Sequence, residues 1–190
     1  MRTNRLEAFS DGVLAIIITI MVLELKAPGE LTFEALMREA PIFISYLLSF
    51  IYIGIYWNNH HHLFQITKKV NGKILWANLH LLFWLSLIPF ATFWIGEHHI
   101  MPFPVAFYGA VLLMSDFAYY MLRQKIINKH NEDFALLKEL GKNLKAKIFL
   151  LIYALAIPIS FVNSWLAITC YVLIAIIRVI PDKRIENSTV

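Results

Sequence analysis

Six long apolar stretches occupy most of this 190-residue chain, and they constrain its fold more than any motif does. Their approximate bounds are residues 9–26, 40–61, 74–95, 101–122, 144–162 and 164–180. A helix needs roughly 20 apolar residues to cross a hydrocarbon core about 30 Å thick, so each stretch comes near the length of a membrane crossing. Hydrophobic residues make up 59% of the chain and charged ones 16%, whereas soluble domains carry about 25% charge. That balance argues against a soluble fold and predicts an all-α, polytopic membrane protein with six transmembrane helices. Loops this short leave no room for a separate soluble domain, so residues 1–190 read as a single unit.

The first stretch follows Met1, Arg2 and Arg5 in the manner of a signal peptide. Lys26, Ala27, Pro28 and Gly29 come after it, and a charge with a proline is unlike a small-residue cleavage site, so it reads as an uncleaved span. Residues 30–39 place Leu31 and Leu36 at roughly helical spacing and predict a short interfacial helix. Pro158 and the Asn163-Ser164-Trp165 sequence break the last apolar region into a tight hairpin. Residues 123–143 read as a cytoplasmic linker, in which Phe134, Leu137 and Leu140 form an apolar stripe among lysines. With the amino terminus inside, fifteen of the 17 Lys and Arg fall on the cytoplasmic side and only Lys26 and Arg38 outside. This positive-inside asymmetry predicts that both termini are cytoplasmic. The net charge of +4 therefore orients the chain in a lipid bilayer, expected to be the cell (plasma or inner) membrane, and implies no nucleic-acid partner. The single cysteine, Cys170, lies in an apolar run and suits packing.

Polar groups are costly within a bilayer, so their positions are informative. Arg5, Ser10 and Asp11 open the first span, Trp57-Asn58-Asn59-His60-His61-His62 closes the second, and Trp76, Asn78 and His80 open the third. By topology these clusters share one membrane face. Three consecutive histidines point in different directions around a helix, which argues against a metal site. A hydrogen-bonded network joining Arg5, Ser10 and Asp11 to Trp57, Asn59, His60 or His61 and Asn78 accounts for the same residues. Structural glue is the favoured reading of this network, and a pH-sensitive switch through its histidines is the alternative. In the fourth span, Asp116 is expected to be neutralised by the nearby hydroxyls of Ser115, Tyr119 and Tyr120.

The first span carries one polar residue, Thr19, between Gly12 and Glu24. Either this is an ordinary apolar helix with Thr19 bonded to its own backbone, or Ile16, Thr19, Ile20 and Leu23 form a stripe facing a symmetry axis. Repetition of the subunit turns such a stripe into rings: hydrophobic rings close a water path by dewetting, and a threonine ring offers oxygens to a cation. Glu24 marks the outer end. Trp94 and Trp165 suit membrane-interface anchors. Zinc-protease, nucleophile-elbow and phosphate-loop motifs are absent, so no enzyme or cofactor is indicated. A proton-coupled transporter using Asp116 or the histidines is the alternative, but paired broken helices in the two halves are not evident.

Arg5-Leu6-Glu7-Ala8-Phe9-Ser10-Asp11 resembles the Arg-x-x-x-Phe-Ser-Asp signature of the transmembrane protein 175 potassium channels. The runs from Ala15 to Glu24, Trp57 to Phe64 and Asn78 to Thr92 look like their counterparts, and the six-span layout covers the whole chain. The resemblance implies the prokaryotic, single-repeat type: a homotetramer passing K⁺ in preference to Na⁺ as a leak-type channel, its central pore lined by the first helix of each subunit. By position, the constriction falls on Ile16, Ile20 and Leu23 and the pore threonine on Thr19. The signature's network falls on Arg5, Phe9, Ser10 and Asp11 with the histidine and tryptophan of the second span.

Overall fold

The computed structural model describes residues 3–65, 67, 69–98, 100–129 and 144–179. These residues form α1 (Thr3–Leu23), α2 (Phe33–Arg38), α3 (Ala40–Gln65), α4 (Gly72–Ser86), α5 (Ile88–Glu97), α6 (Pro102–Lys129), α7 (Leu144–Ser160) and α8 (Ser164–Val179). Among the described residues, four helical stretches are long and apolar enough to cross a membrane: α1, α3, α4 with α5 (Gly72–Glu97), and α6. Helices α7 and α8 are shorter, at 17 and 16 residues. Backbone groups in lipid have no water to bond, so apolar sequences this long, rich as they are in β-branched Ile and Val, still fold as helices.

Several expected bounds shift, the first helix spanning Thr3–Leu23 and the second long one reaching Gln65, and two elements differ most. The third stretch is two helices meeting at Leu87, because Pro89 lacks the N–H that would bond back to Leu85 and its ring crowds the preceding turn. Thr92 donates to Ile88 O at 2.7 Å just beyond the break. Helix α6 runs past residue 122 to Lys129, with Leu122 and Ile126 buried one turn apart, so the start of the expected linker continues the helix. The rest of that linker, including Phe134, Leu137 and Leu140, lies outside the described residues. The short helix expected in 30–39 is α2, capped where Thr32 accepts from Ala35 N at 3.2 Å. Between α7 and α8 the turn closes with Asn163 N donating to Ile159 O at 2.8 Å, and Asn163 Oδ1 accepts from Leu166 N. Pro158 sits within α7 rather than ending it.

Helix α6 lies against α4 and α7, α3 against α5, and α1 against α3, α4 and α5. Two glycines permit close packing. A Cβ on Gly96 of α5 would stand 2.7 Å from Ile42 Cα of α3, and one on Gly109 of α6 would stand 2.0 Å from the Tyr171 hydroxyl of α8.

The interior holds five fully buried tyrosines, Tyr52, Tyr56, Tyr108, Tyr153 and Tyr171, each needing a partner for its hydroxyl. Tyr153 donates to Tyr52 OH at 3.0 Å, and Tyr52 donates to Tyr171 O at 2.6 Å. Tyr108 and Ser49 bond at 3.0 Å, and Thr92 reaches Ser49 at 2.6 Å. Asp116 is not neutralised by its own helix as expected. Ser115 donates to Val111 O and Tyr119 to Asn59 O, while Arg178 of α8 grips both Asp116 oxygens at 2.5 and 2.6 Å. Tyr56 of α3 donates to the same carboxylate at 3.4 Å, and the guanidinium lies 4.7 Å from the Phe149 ring centre. A buried carboxylate calls for a full charge in preference to hydroxyls, and the helix that supplies it is remote in sequence.

Candidate functional site

Helix α1 has two unlike faces. Leu6, Ser10, Leu14, Ile17 and Met21, three or four residues apart, are buried against the bundle. On the other side Ile16, Ile20 and Leu23 are 60%, 44% and 74% exposed, with Thr19 exposed among them. At about 100° per residue, these four share an arc near a quarter-turn wide. Thr19 Oγ1 donates its proton to Ala15 O at 2.8 Å. Its oxygen lone pairs therefore remain available on the exposed face, the property a cation ligand needs.

The amino-terminal half of α1 is tied to α3 and α4 by a polar clasp. Ser10 Oγ donates to Leu6 O at 2.9 Å, so it accepts from Asn78 Nδ2, also at 2.9 Å. The carbonyl of that amide faces His60 Nε2 at 2.8 Å, which assigns the ring proton to Nε2. All three residues are buried, and His60 Nδ1 has no partner among the described residues. Beside this chain, Trp57 Nε1 donates to Asp11 Oδ1 at 3.0 Å. His61 Nδ1 meets Glu7 Oε1 at 2.7 Å, while its Nε2 accepts from Gln65 at 2.8 Å. Thr3 adds a bond to Thr67 O at 3.0 Å. The carboxyl end of α3 and the amino ends of α1 and α4 thus meet at one end of the bundle.

Not every expected member joins. Phe9 is 52% exposed and Arg5 is exposed, both turned toward the side that carries Ile16 and Thr19. Asn59 contributes its backbone carbonyl, to Tyr119 on α6, and no side-chain bond to the clasp among the described residues. Glu7 was not anticipated. Its signal was present, since it precedes Asp11 by one turn and so shares the face that meets α3.

Long apolar helices around a largely hydrogen-bonded polar interior define an α-helical integral membrane protein. The chain belongs to the TMEM175 family: residues 5–89 match the family model described as endosomal/lysosomal potassium channel TMEM175. It is 56% identical over 188 residues to a potassium channel of a Chryseobacterium species, covering 99% of this chain and 98% of the relative. A potassium channel of Chamaesiphon minutus is 30% identical over 194 residues, covering 90% and 91%. The endosomal/lysosomal proton channel TMEM175 of Gallus gallus is 34% identical over 101 residues, 46% of this chain and 20% of that longer protein. The crystal structure of a lysosomal potassium-selective channel TMEM175 homolog from Chamaesiphon minutus superposes with a TM-score of 0.79 at 28% identity, covering 93% of this chain and 96% of that one. This is a family of ion channels, so the chain is not an enzyme.

Proposed function

We propose that this chain is a K⁺-selective, leak-type cation channel of the cell membrane, assembled as a homotetramer with α1 of each subunit lining a central pore. In this reading Ile16, Ile20 and Leu23 form the hydrophobic constriction and Thr19 contributes a ring of hydroxyl oxygens. Both termini are cytoplasmic, α7 and α8 supply the fifth and sixth crossings, and residues 123–143 include the cytoplasmic linker. The clasp of Ser10, Asn78, His60, Asp11, Trp57, Glu7 and His61 holds the inner end of the pore helix.

The observation that carries the reading is the outward face of α1, which unlike that of α8 lies within the family match over residues 5–89. An apolar stripe turned away from its own bundle, with one outward-facing oxygen, has the parts of a dewetting gate and a weak filter once it is repeated around an axis. Potassium channels among the relatives support the choice of ion. The transporter alternative is not favoured, because Asp116 is held by Arg178.

Purified protein in liposomes is expected to pass K⁺ faster than Na⁺, and the absence of any K⁺ flux would sink the proposal. Ile20→Ala and Leu23→Ala are expected to change conductance. If neither does, the stripe is not in the pore. The mass of the detergent-solubilised complex tests the tetramer.

A further inference from the structure

A groove of about 730 Å³ opens between the start of α4 and the end of α6. Asn71, Lys73, Trp76 and His80 line it from α4 and its cap, and Met121 and Lys125 from α6. No acidic side chain is among its described lining residues. The two lysines come from helices distant in sequence and converge on one cavity.

Each remaining polar group offers a donor. Asn71 Oδ1 is occupied by Ile74 N at 3.0 Å, leaving its amide N–H groups for another acceptor. His80 Nε2 accepts from Trp84 Nε1 at 3.0 Å, so a neutral ring carries its proton on Nδ1 and can donate it. A cavity furnished with donors and positive charge, and without an acceptor carboxylate, suits a phosphate. Trp76, 75% exposed, and Met121 supply apolar surface beside it, and an exposed indole next to lysines is characteristic of the headgroup region of a bilayer. In the proposed topology, on which this inference rests, the groove lies at the cytoplasmic side, where basic pockets between membrane helices bind anionic headgroups.

We propose that this groove binds the phosphate headgroup of an anionic phospholipid, with Lys73 and Lys125 as its two cationic contacts. The lipid would bridge α4 to α6 one turn from Asn78, so its occupancy bears on the helix that holds the inner end of α1.

The test is lipid retention by the full-length purified protein in native mass spectrometry, titrated with phosphatidylglycerol, phosphatidylcholine or inorganic phosphate. Phosphatidylglycerol should be retained over phosphatidylcholine. The Lys73→Ala/Lys125→Ala double variant should weaken retention roughly fivefold per lysine, about 25-fold in all, and Lys73→Arg/Lys125→Arg should preserve it. Equal retention of both lipids, unchanged retention in the alanine variant, or inorganic phosphate displacing the lipid at equal concentration would overturn the proposal. So would a change of oligomeric mass in the alanine variant, which would make the groove a contact between subunits. Because the readout is binding without flux, failure here leaves the pore reading untouched.

Discussion

The first and last described helices make an instructive pair. Both α1 and α8 are apolar, both bury one face and expose the other, and each carries an exposed threonine whose hydroxyl bonds the carbonyl four residues back, Thr19 at 2.8 Å and Thr169 at 2.9 Å. They differ in how they are held. Helix α8 is locked into the bundle interior by Arg178 on Asp116 and by Tyr171 in the space above Gly109. Helix α1 is tied by polar bonds only along its first half, through Thr3, Glu7, Ser10 and Asp11, and by apolar contacts alone at Leu14, Ile17 and Met21. An exposed apolar face alone does not mark a pore helix, since α8 has one too. In the proposed channel, α8 is a fixed strut facing lipid, while the far end of α1 is free to adapt.

The sharpest way to break this contrast is at the ion pair. Arg178→Ala leaves Asp116 buried without a counter-charge and is expected to cost about 3–5 kcal/mol, read as loss of resistance to sodium dodecyl sulfate unfolding. Replacing both, as Asp116→Leu/Arg178→Met, should recover most of that loss; if it does not, the pair is more than a lock. Gly109→Ala comes next, at about 1–3 kcal/mol, because its methyl group collides with the Tyr171 hydroxyl. Asn78→Ala removes the partner of both Ser10 and His60 and is expected to cost about 1–3 kcal/mol in the same assay. In liposomes it should also alter K⁺ flux by freeing the clasped end of α1. Thr19→Ala and Thr169→Ala are matched controls with the smallest stability effect, within about 0.5 kcal/mol for each. Only Thr19→Ala is expected to weaken discrimination of K⁺ from Na⁺, and equal behaviour of the two would dissolve the contrast.

Much of the clasp was legible in the chain. Ser10, Asp11, Trp57, His60, His61 and Asn78 all stand near the ends of apolar runs, and alternating crossings are expected to bring those ends to one face. Arg5 and Phe9 were harder to assign. They lie on the helical side that carries Ile16, and motif adjacency to Ser10 hides that a step of one residue turns a side chain by about 100°. The pairing of Asp116 with Arg178 was illegible for another reason. Counted as a loop charge, Arg178 satisfied the orientation rule, and nothing local reveals that the end of α8 reaches the middle of α6.

Hydropathy determined that this chain is a set of apolar helices, because a backbone in lipid must satisfy its own hydrogen bonds wherever the apolar run is long enough. Helical spacing determined that Ile16, Thr19, Ile20 and Leu23 share a face. Only tertiary packing decided that this face points outward, that Leu87 divides the third crossing, and that Asp116 belongs to Arg178. Those outcomes depend on which helix lies against which, and a run of apolar residues is equally compatible with many neighbours until their polar groups find partners.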